Sequence, residues 1–241
     1  MELTRGELKS LAKSLLDEKG SLYWSDSLMN TIADEANRDV FRLVVNANGD
    51  QHLGTSTSFT FSGGNAFVDL ESTLGKAVYK VQTLETTPES GAISATNLPT
   101  KMMPMRLSER SKFLASGGVQ GLSVADGRSY HYALHASTLY IAPIPTQDIY
   151  IKLYYIPVLI PMNADSGTGS FPLRAGNAGT GRASIFHDAV YKRMAVLMNV
   201  KQNGNNPLVD KLWQEAVLHI AENAESRYAD EPQSVRVLGH Y

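Results

Sequence analysis

Apolar residues recur with a helical period near the amino end of the chain. Thr4 and Glu7 form a capping-box pattern, and four leucines follow it at helical spacing. Ser25 and Asp26 then precede a second run with a broad apolar face. Because the link between the two runs is short, we predict an antiparallel helical hairpin in residues 1–50.

The carboxyl-terminal part has a similar pattern. Apolar residues recur with a helical period from Ala189 to Met198 and again from Leu208 to Ile220, separated by an Asn/Gly/Pro-rich break. We therefore predict a second helical hairpin over residues 184–228. The residues that follow include a proline and a glycine and have no core-forming period, which predicts an extended tail.

Between these helical parts the apolar period changes to two, which is typical of strands. Thr55, Thr57, Phe59 and Phe61 alternate with small hydroxyl residues. A Gly-Gly-Asn turn follows them and predicts a hairpin with a strand at residues 66–70. Further strands are predicted at 78–84, 130–134, 139–142 and 149–158. We expect a short helical piece at 108–115, a loop at 86–100 and a mobile loop at 163–183.

The predicted fold class is therefore α+β. The amino- and carboxyl-terminal helix pairs form a helical bundle, an antiparallel β region is inserted between them, and an extended carboxyl-terminal tail follows. The chain is expected to divide into five segments. They are a helical hairpin (1–50), an inserted β region (51–105), a β segment with a Gly-rich loop (106–183), a second helical hairpin (184–228) and a tail (229–241).

Composition narrows the possible functions. The 241 residues are 43% hydrophobic, enough for a sizeable core, and the formal net charge of -2 offers no basic excess for tight DNA binding. The absence of cysteine excludes disulfides, thiolate catalysis and Cys-ligated zinc. We expect no export signal, because the amino end is charged, and no membrane span, because the longest apolar run is too short.

Two glycine-rich motifs resemble catalytic or nucleotide-binding loops but lack essential residues. Residues 176–183 have the glycine spacing of a phosphate-binding loop, yet Arg182 and Ala183 stand where that loop needs Lys and Ser or Thr. The sequence around Ser123 has one glycine fewer than a nucleophile elbow requires. We interpret both motifs as loops.

The titratable candidates also favour a protein without catalysis. His131 and His135 lie four residues apart on a predicted strand with no third ligand nearby, so we interpret them as surface or interface residues. Asp188, next to His187, lies at the start of a predicted helix, where the helix dipole favours an acidic side chain. Glu222 and Glu225 are expected on a solvated helix face. We predict no enzyme activity, no cofactor and no metal.

Three consecutive motifs follow one another in the later strands: YHYAL at residues 130–134, LYIAPIP at 139–145 and IKLYYIP at 151–157. In this order they resemble the head-to-tail connector, or adaptor, proteins of tailed bacteriophages. In that family the strands lead to a Pro-bounded loop and then to a helix, here opening with FHDAVY at 186–191, and a late helix pair follows. The resemblance covers the first helical hairpin and the chain from about residue 130 onward, and leaves 53–100 as an addition.

The resemblance implies a structural virion protein of the neck, made in the host cytoplasm and located between capsid and tail. Such subunits form a ring, commonly of about twelve copies, that docks below the portal protein and extends the DNA channel. Tail or nozzle proteins attach to this ring, and genomic DNA passes through it without sequence-specific binding. The tail that reaches the portal would bind it through the residues Val235, Arg236, Val237, Leu238 and Tyr241.

Two other functions remain open at this point. One is another neck or tail-completion protein, such as a stopper or a tail terminator, although helices at both chain ends argue against those mostly β folds. The other is a carbohydrate-binding tail component that would use the aromatic residues of the β region, which are Phe59, Phe61, Phe67 and Tyr79.

Overall fold

The computed structural model describes most of the chain as an α+β fold, in agreement with the predicted class. The described residues are 3–17, 23–47, 53–75, 77–87, 99–110, 130–166, 173, 184–202, 204 and 206–226. They divide into two compact units: one comprises the described residues up to Leu53 and from Leu159 onward, and the other comprises Gly54–Val158.

Five α-helices and eight strands lie within the described residues. The helices are α1 (Arg5–Leu15), α2 (Asp26–Asn46), α3 (Leu70–Leu74), α4 (His187–Lys201) and α5 (Pro207–Ser226). The strands are β1 (Thr55–Phe61), β2 (Phe67–Asp69), β3 (Val78–Thr87), β4 (Thr100–Lys101), β5 (Met103–Pro104), β6 (His131–His135), β7 (Thr138–Ala142) and β8 (Ile149–Pro157). Short 3-10 turns occupy Leu107–Glu109 and Ser184–Phe186.

Helix α4 is the centre of the first unit. It contacts α1, α2 and α5, and α2 also contacts α1 and α5. Its buried side chains include Val190, Met194, Ala195 and Met198, which lie on more than one side of the helix. A helix that is buried around most of its circumference needs neighbours on several sides, and here they come from both ends of the chain.

The two amino-terminal helices begin where the capping signals predict. Thr4 Oγ1 accepts a hydrogen bond from Glu7 N at 3.3 Å, and Glu7 Oε2 accepts one from Thr4 N at 2.7 Å, which completes the capping box. Ser25 Oγ caps α2 by accepting from Leu28 N at 3.3 Å.

Buried charges tie the segment after Leu159 to α1. The Arg5 guanidinium donates to Asp165 Oδ1 at 2.6 Å and to the Met162 carbonyl at 2.5 Å, and Lys9 Nζ donates to Asp165 Oδ2 at 2.9 Å. The hydrogen bond from Lys9, with Arg5 beside it, lowers the pKa of Asp165 from its ordinary value. The ionised carboxylate is therefore favoured in the folded chain.

The second unit consists of two four-stranded sheets, with the strand orders β1-β8-β3-β4 and β2-β7-β6-β5. Side chains from both sheets form one hydrophobic core, in which Phe61, Leu84 and Ile151 come from the first sheet and Leu139 and Ile141 from the second. One neighbouring pair, β5 with β6, is parallel, so the prediction of a purely antiparallel β region is wrong at this pair.

The predicted hairpin between β1 and β2 is wrong, because the two strands belong to different sheets. β1 pairs antiparallel with β8, and β2 pairs antiparallel with β7. The link between β1 and β2 packs against the link between β7 and β8: Gly63 N donates to Asp148 Oδ1, and Gly64 N donates to the Pro145 carbonyl, both at 2.8 Å. Both links carry the chain from one sheet to the other.

The other strand predictions agree with the structure where it is described. β6, β7 and β8 lie at the predicted positions, and β3 extends beyond its predicted end to Thr87. Several predicted segments lie wholly or mostly outside the described residues, namely the helical piece at 108–115, the loops at 86–100 and 163–183, and the tail at 229–241.

Gly63 should be intolerant of a side chain. A Cβ at this position would lie 2.8 Å from the backbone C and Cα atoms of Gln147, so one of the two sheet-crossing links would have to move. We expect Gly63→Ala to lower the free energy of unfolding by about 1–3 kcal/mol, measured by urea denaturation. Ser62→Ala, at an exposed position in the same link, is the control and should have little effect. Equal stability of the two variants would contradict the tight packing of the links.

Candidate interaction surfaces

The two histidines of β6 lie at opposite ends of that strand. His135 is exposed and His131 is half-buried. Among the described residues, no group of three or more His, Cys, Asp or Glu side chains is placed to hold a metal ion. These histidines are therefore not brought together with further ligands in the described part of the chain.

His187 and Asp188 engage different partners rather than each other. His187 is completely buried, and its Nδ1 accepts a hydrogen bond from Leu3 N at 3.0 Å. The Asp188 carboxylate accepts from Lys192 Nζ at 3.1 Å, one turn along α4. The imidazole thus fixes the chain before α1 against the start of α4, which is a structural role.

The sequence contained a signal for this role of His187. It lies three residues before Val190 and seven before Met194, so it falls on the same helical stripe as two buried apolar residues. The dipole argument for Asp188 does not use this periodicity, so it does not predict the burial of His187.

The remaining predicted site residues are exposed or lie outside the described residues. Glu222 is exposed on α5. The Glu225 side chain, Ser123, the loop at 176–183 and the five predicted portal-binding residues from Val235 to Tyr241 are all outside the described part of the chain.

Two of the four aromatic residues proposed for carbohydrate binding are not available for it. Phe61 is buried in the core of the second unit, and Phe59 packs against that core. Phe67 is exposed and lies 5.9 Å from the Tyr140 ring, and Tyr79 is exposed on β3. The aromatic surface of this region is therefore smaller than the sequence suggested.

The first sheet has a second face that is rich in hydroxyl groups. β1 contributes Ser56, Ser58 and Thr60, which pair with Tyr154, Lys152 and Tyr150 of β8. The three β1 residues are exposed and the three β8 residues are half-buried. We call these six side chains the hydroxyl face.

A hydrogen bond and a cation–π contact connect Tyr154 of this hydroxyl face to Glu85 and Lys152. Tyr154 OH donates to Glu85 Oε2 at 3.2 Å, and Lys152 Nζ lies 5.1 Å from the centre of the Tyr154 ring. The hydrogen bond with Tyr154, and to a smaller extent the nearby Glu85 charge, raises the pKa of Lys152. The face is thus polar, and its lysine is charged at neutral pH.

Within the described ranges, no helix combines the length and the apolar composition that crossing a bilayer requires.

His187 should matter for folding rather than for chemistry. We expect His187→Ala to lower the free energy of unfolding by about 3 kcal/mol, because it creates a cavity and leaves Leu3 N without its acceptor. His187→Asn places an oxygen near the position of Nδ1 and should recover part of the loss. Urea denaturation followed by circular dichroism measures both variants. Equal stability of His187→Ala and the unaltered chain would contradict this role.

No protein-family model matches the chain, and no curated protein matches it at a significant level.

Proposed function

We propose that this chain is a structural subunit of a tailed-bacteriophage neck, the head-to-tail adaptor that forms a ring below the portal protein. The observation that carries the proposal is the discontinuous first unit, which combines helices from both ends of the chain while residues 54–158 form a separate β unit. This arrangement supports the organisation that the motifs at 130–157 imply, a helical bundle that carries a β domain.

In this proposal the helix pairs in 1–50 and 184–228 form the bundle of each subunit. The β region from 51 to 105 is an insertion, residues 106–183 supply further strands and a loop, and the tail at 229–241 binds the portal. About twelve copies close the ring, to which tail or nozzle proteins attach. The location is the virion neck, reached after assembly in the host cytoplasm.

The chemistry of the described residues supports a structural role. The buried titratable groups His187, Arg5 and Lys9 form contacts that hold the first unit together. The formal net charge of -2 suits a channel wall past which DNA moves, because a strongly basic wall would bind phosphates tightly. We propose no enzymatic activity.

A second candidate function is a carbohydrate-binding tail component. The hydroxyl face favours it, because Tyr150 and Tyr154 alternate with Lys152 beside a row of Ser and Thr hydroxyls. The test is saccharide binding by the intact chain and by a folded variant that carries both Tyr150→Ala and Tyr154→Ala. Binding by the intact chain and loss of binding in the variant would support this candidate over the adaptor.

The adaptor proposal predicts that the tail is the main portal anchor. Burying Val235, Val237, Leu238 and Tyr241 would contribute roughly 1.5–3 kcal/mol each. Ordering the tail costs on the order of 1 kcal/mol or more per residue, so a single tail should bind weakly. Backbone pairing with the portal and repetition around a ring would supply the remaining affinity, because each later docking is effectively intramolecular.

Deletion of residues 232–241 tests this prediction. We expect the truncated chain to stay folded by circular dichroism but to be lost from complexes purified with co-expressed portal protein. The matched control keeps the length of the tail and replaces its four apolar residues with serine, and it should fail to bind in the same way. Wild-type occupancy of portal by the truncated chain would place the anchor in the bundle instead.

A further inference from the structure

The outward side of α5 carries two exposed leucines. Leu208 is 57% exposed and Leu218 is 63% exposed, whereas Val209, Ala216 and Ile220 on the other side of the helix are buried. Lys211, Glu215 and Glu222 lie at spacings of three and four residues from these leucines, so all five share one stripe. We call Leu208, Lys211, Glu215, Leu218 and Glu222 the outer face of α5.

This outer face has an excess of negative charge. Lys211 Nζ lies 4.0 Å from Glu215 Oε1, which compensates one carboxylate. Glu222 has no ion pair with another described residue, and Asp210 adds a further exposed carboxylate on the same helix. Two copies of this face would therefore repel each other, which disfavours a two-fold symmetric contact through α5.

The second half of α2 has the opposite charge. Arg38 and Arg42 are exposed one helical turn apart, and neither has an ion pair with another described residue, although Arg38 Nε donates to the Asp34 carbonyl at 3.2 Å. Half-buried Glu35 lies three residues before Arg38, so the stripe carries two positive charges against one negative charge. The acidic residue in this half, Asp39, is occupied by Arg193, which donates to it at 2.7 and 2.8 Å. Two copies of this arginine pair would also repel each other, while the aliphatic stems of the arginines offer apolar surface to a partner.

We infer that the outer face of α5 in one subunit packs against the Arg38 and Arg42 surface of α2 in a second copy of this chain. The arginine stems cover Leu208 and Leu218, and the guanidinium groups pair with Glu215 and Glu222. Because each surface repels itself and attracts the other, the contact is head to tail. Head-to-tail contacts generate rings when the rotation closes, so this inference names the ring contact of the proposed adaptor and rests on that function.

Cysteine cross-linking tests the contact directly, because the natural chain contains no cysteine. Leu218→Cys and Arg42→Cys are made in separate full-length chains, mixed at high concentration and treated with a short bismaleimide. We expect a covalent dimer in the mixture and none when either variant is treated alone. A mixture of Arg42→Cys with Leu134→Cys, an exposed leucine in the second unit, is the matched control.

Charge reversal then tests the recognition. Arg38→Glu is added to the chain that carries Arg42→Cys, and Glu215→Arg with Glu222→Arg is added to the chain that carries Leu218→Cys. Reversing Arg38 in one partner alone should reduce the cross-linked yield about tenfold, since like charges then face each other. Reversing Glu215 and Glu222 in the other partner as well should restore it.

The outcomes separate this inference from the proposed function. A yield no higher than that of the control mixture, both without and with portal protein present, or a dimer formed by Leu218→Cys alone, overturns the head-to-tail contact. If such a chain still joins portal protein as a ring, the adaptor function stands and only the contact is wrong. A specific cross-link in a chain that never joins portal supports the contact and contradicts the adaptor assignment.

Discussion

Burial of α4 is the constraint on which the first unit depends. Its side chains are enclosed on several sides, and the helices that enclose it come from residues 5–46 and 207–226. Arg193 of α4 reinforces this arrangement by pairing with Asp39 of α2 and by lying 5.3 Å from the Trp213 ring of α5. The two ends of the chain must therefore meet in one unit, and the residues between them fold as another.

Much of the secondary structure could be predicted because its signals are local. The capping box at Thr4, the cap at Ser25 and the alternation along β6, β7 and β8 each act within a few residues. The partner of β1 could not be predicted in this way. Alternation fixes which side of a strand faces the core, but both a hairpin with β2 and pairing with β8 satisfy it.

The candidate site was harder to predict, because burial depends on contacts between distant residues. His187 accepts its hydrogen bond from Leu3, which is 184 positions away, and no local pattern reveals that partner. The sequence makes Phe59 and Phe61 candidates for carbohydrate binding, yet in the structure they pack in or against a core that both sheets share. The charge separation between α5 and α2 likewise became visible only when exposed side chains could be distinguished from paired ones.

Imaging of the purified chain with portal protein tests the central claim most directly. The adaptor account predicts a closed ring of chains on one end of the portal. Negative-stain class averages should show the ring with the rotational symmetry of the portal, and native mass spectrometry should give the mass of the portal plus one complete ring. A monomer in isolation is compatible with it, because the portal can template the ring. Chains that stay monomeric in the presence of portal, or bind it one to one without closing a ring, would contradict the account.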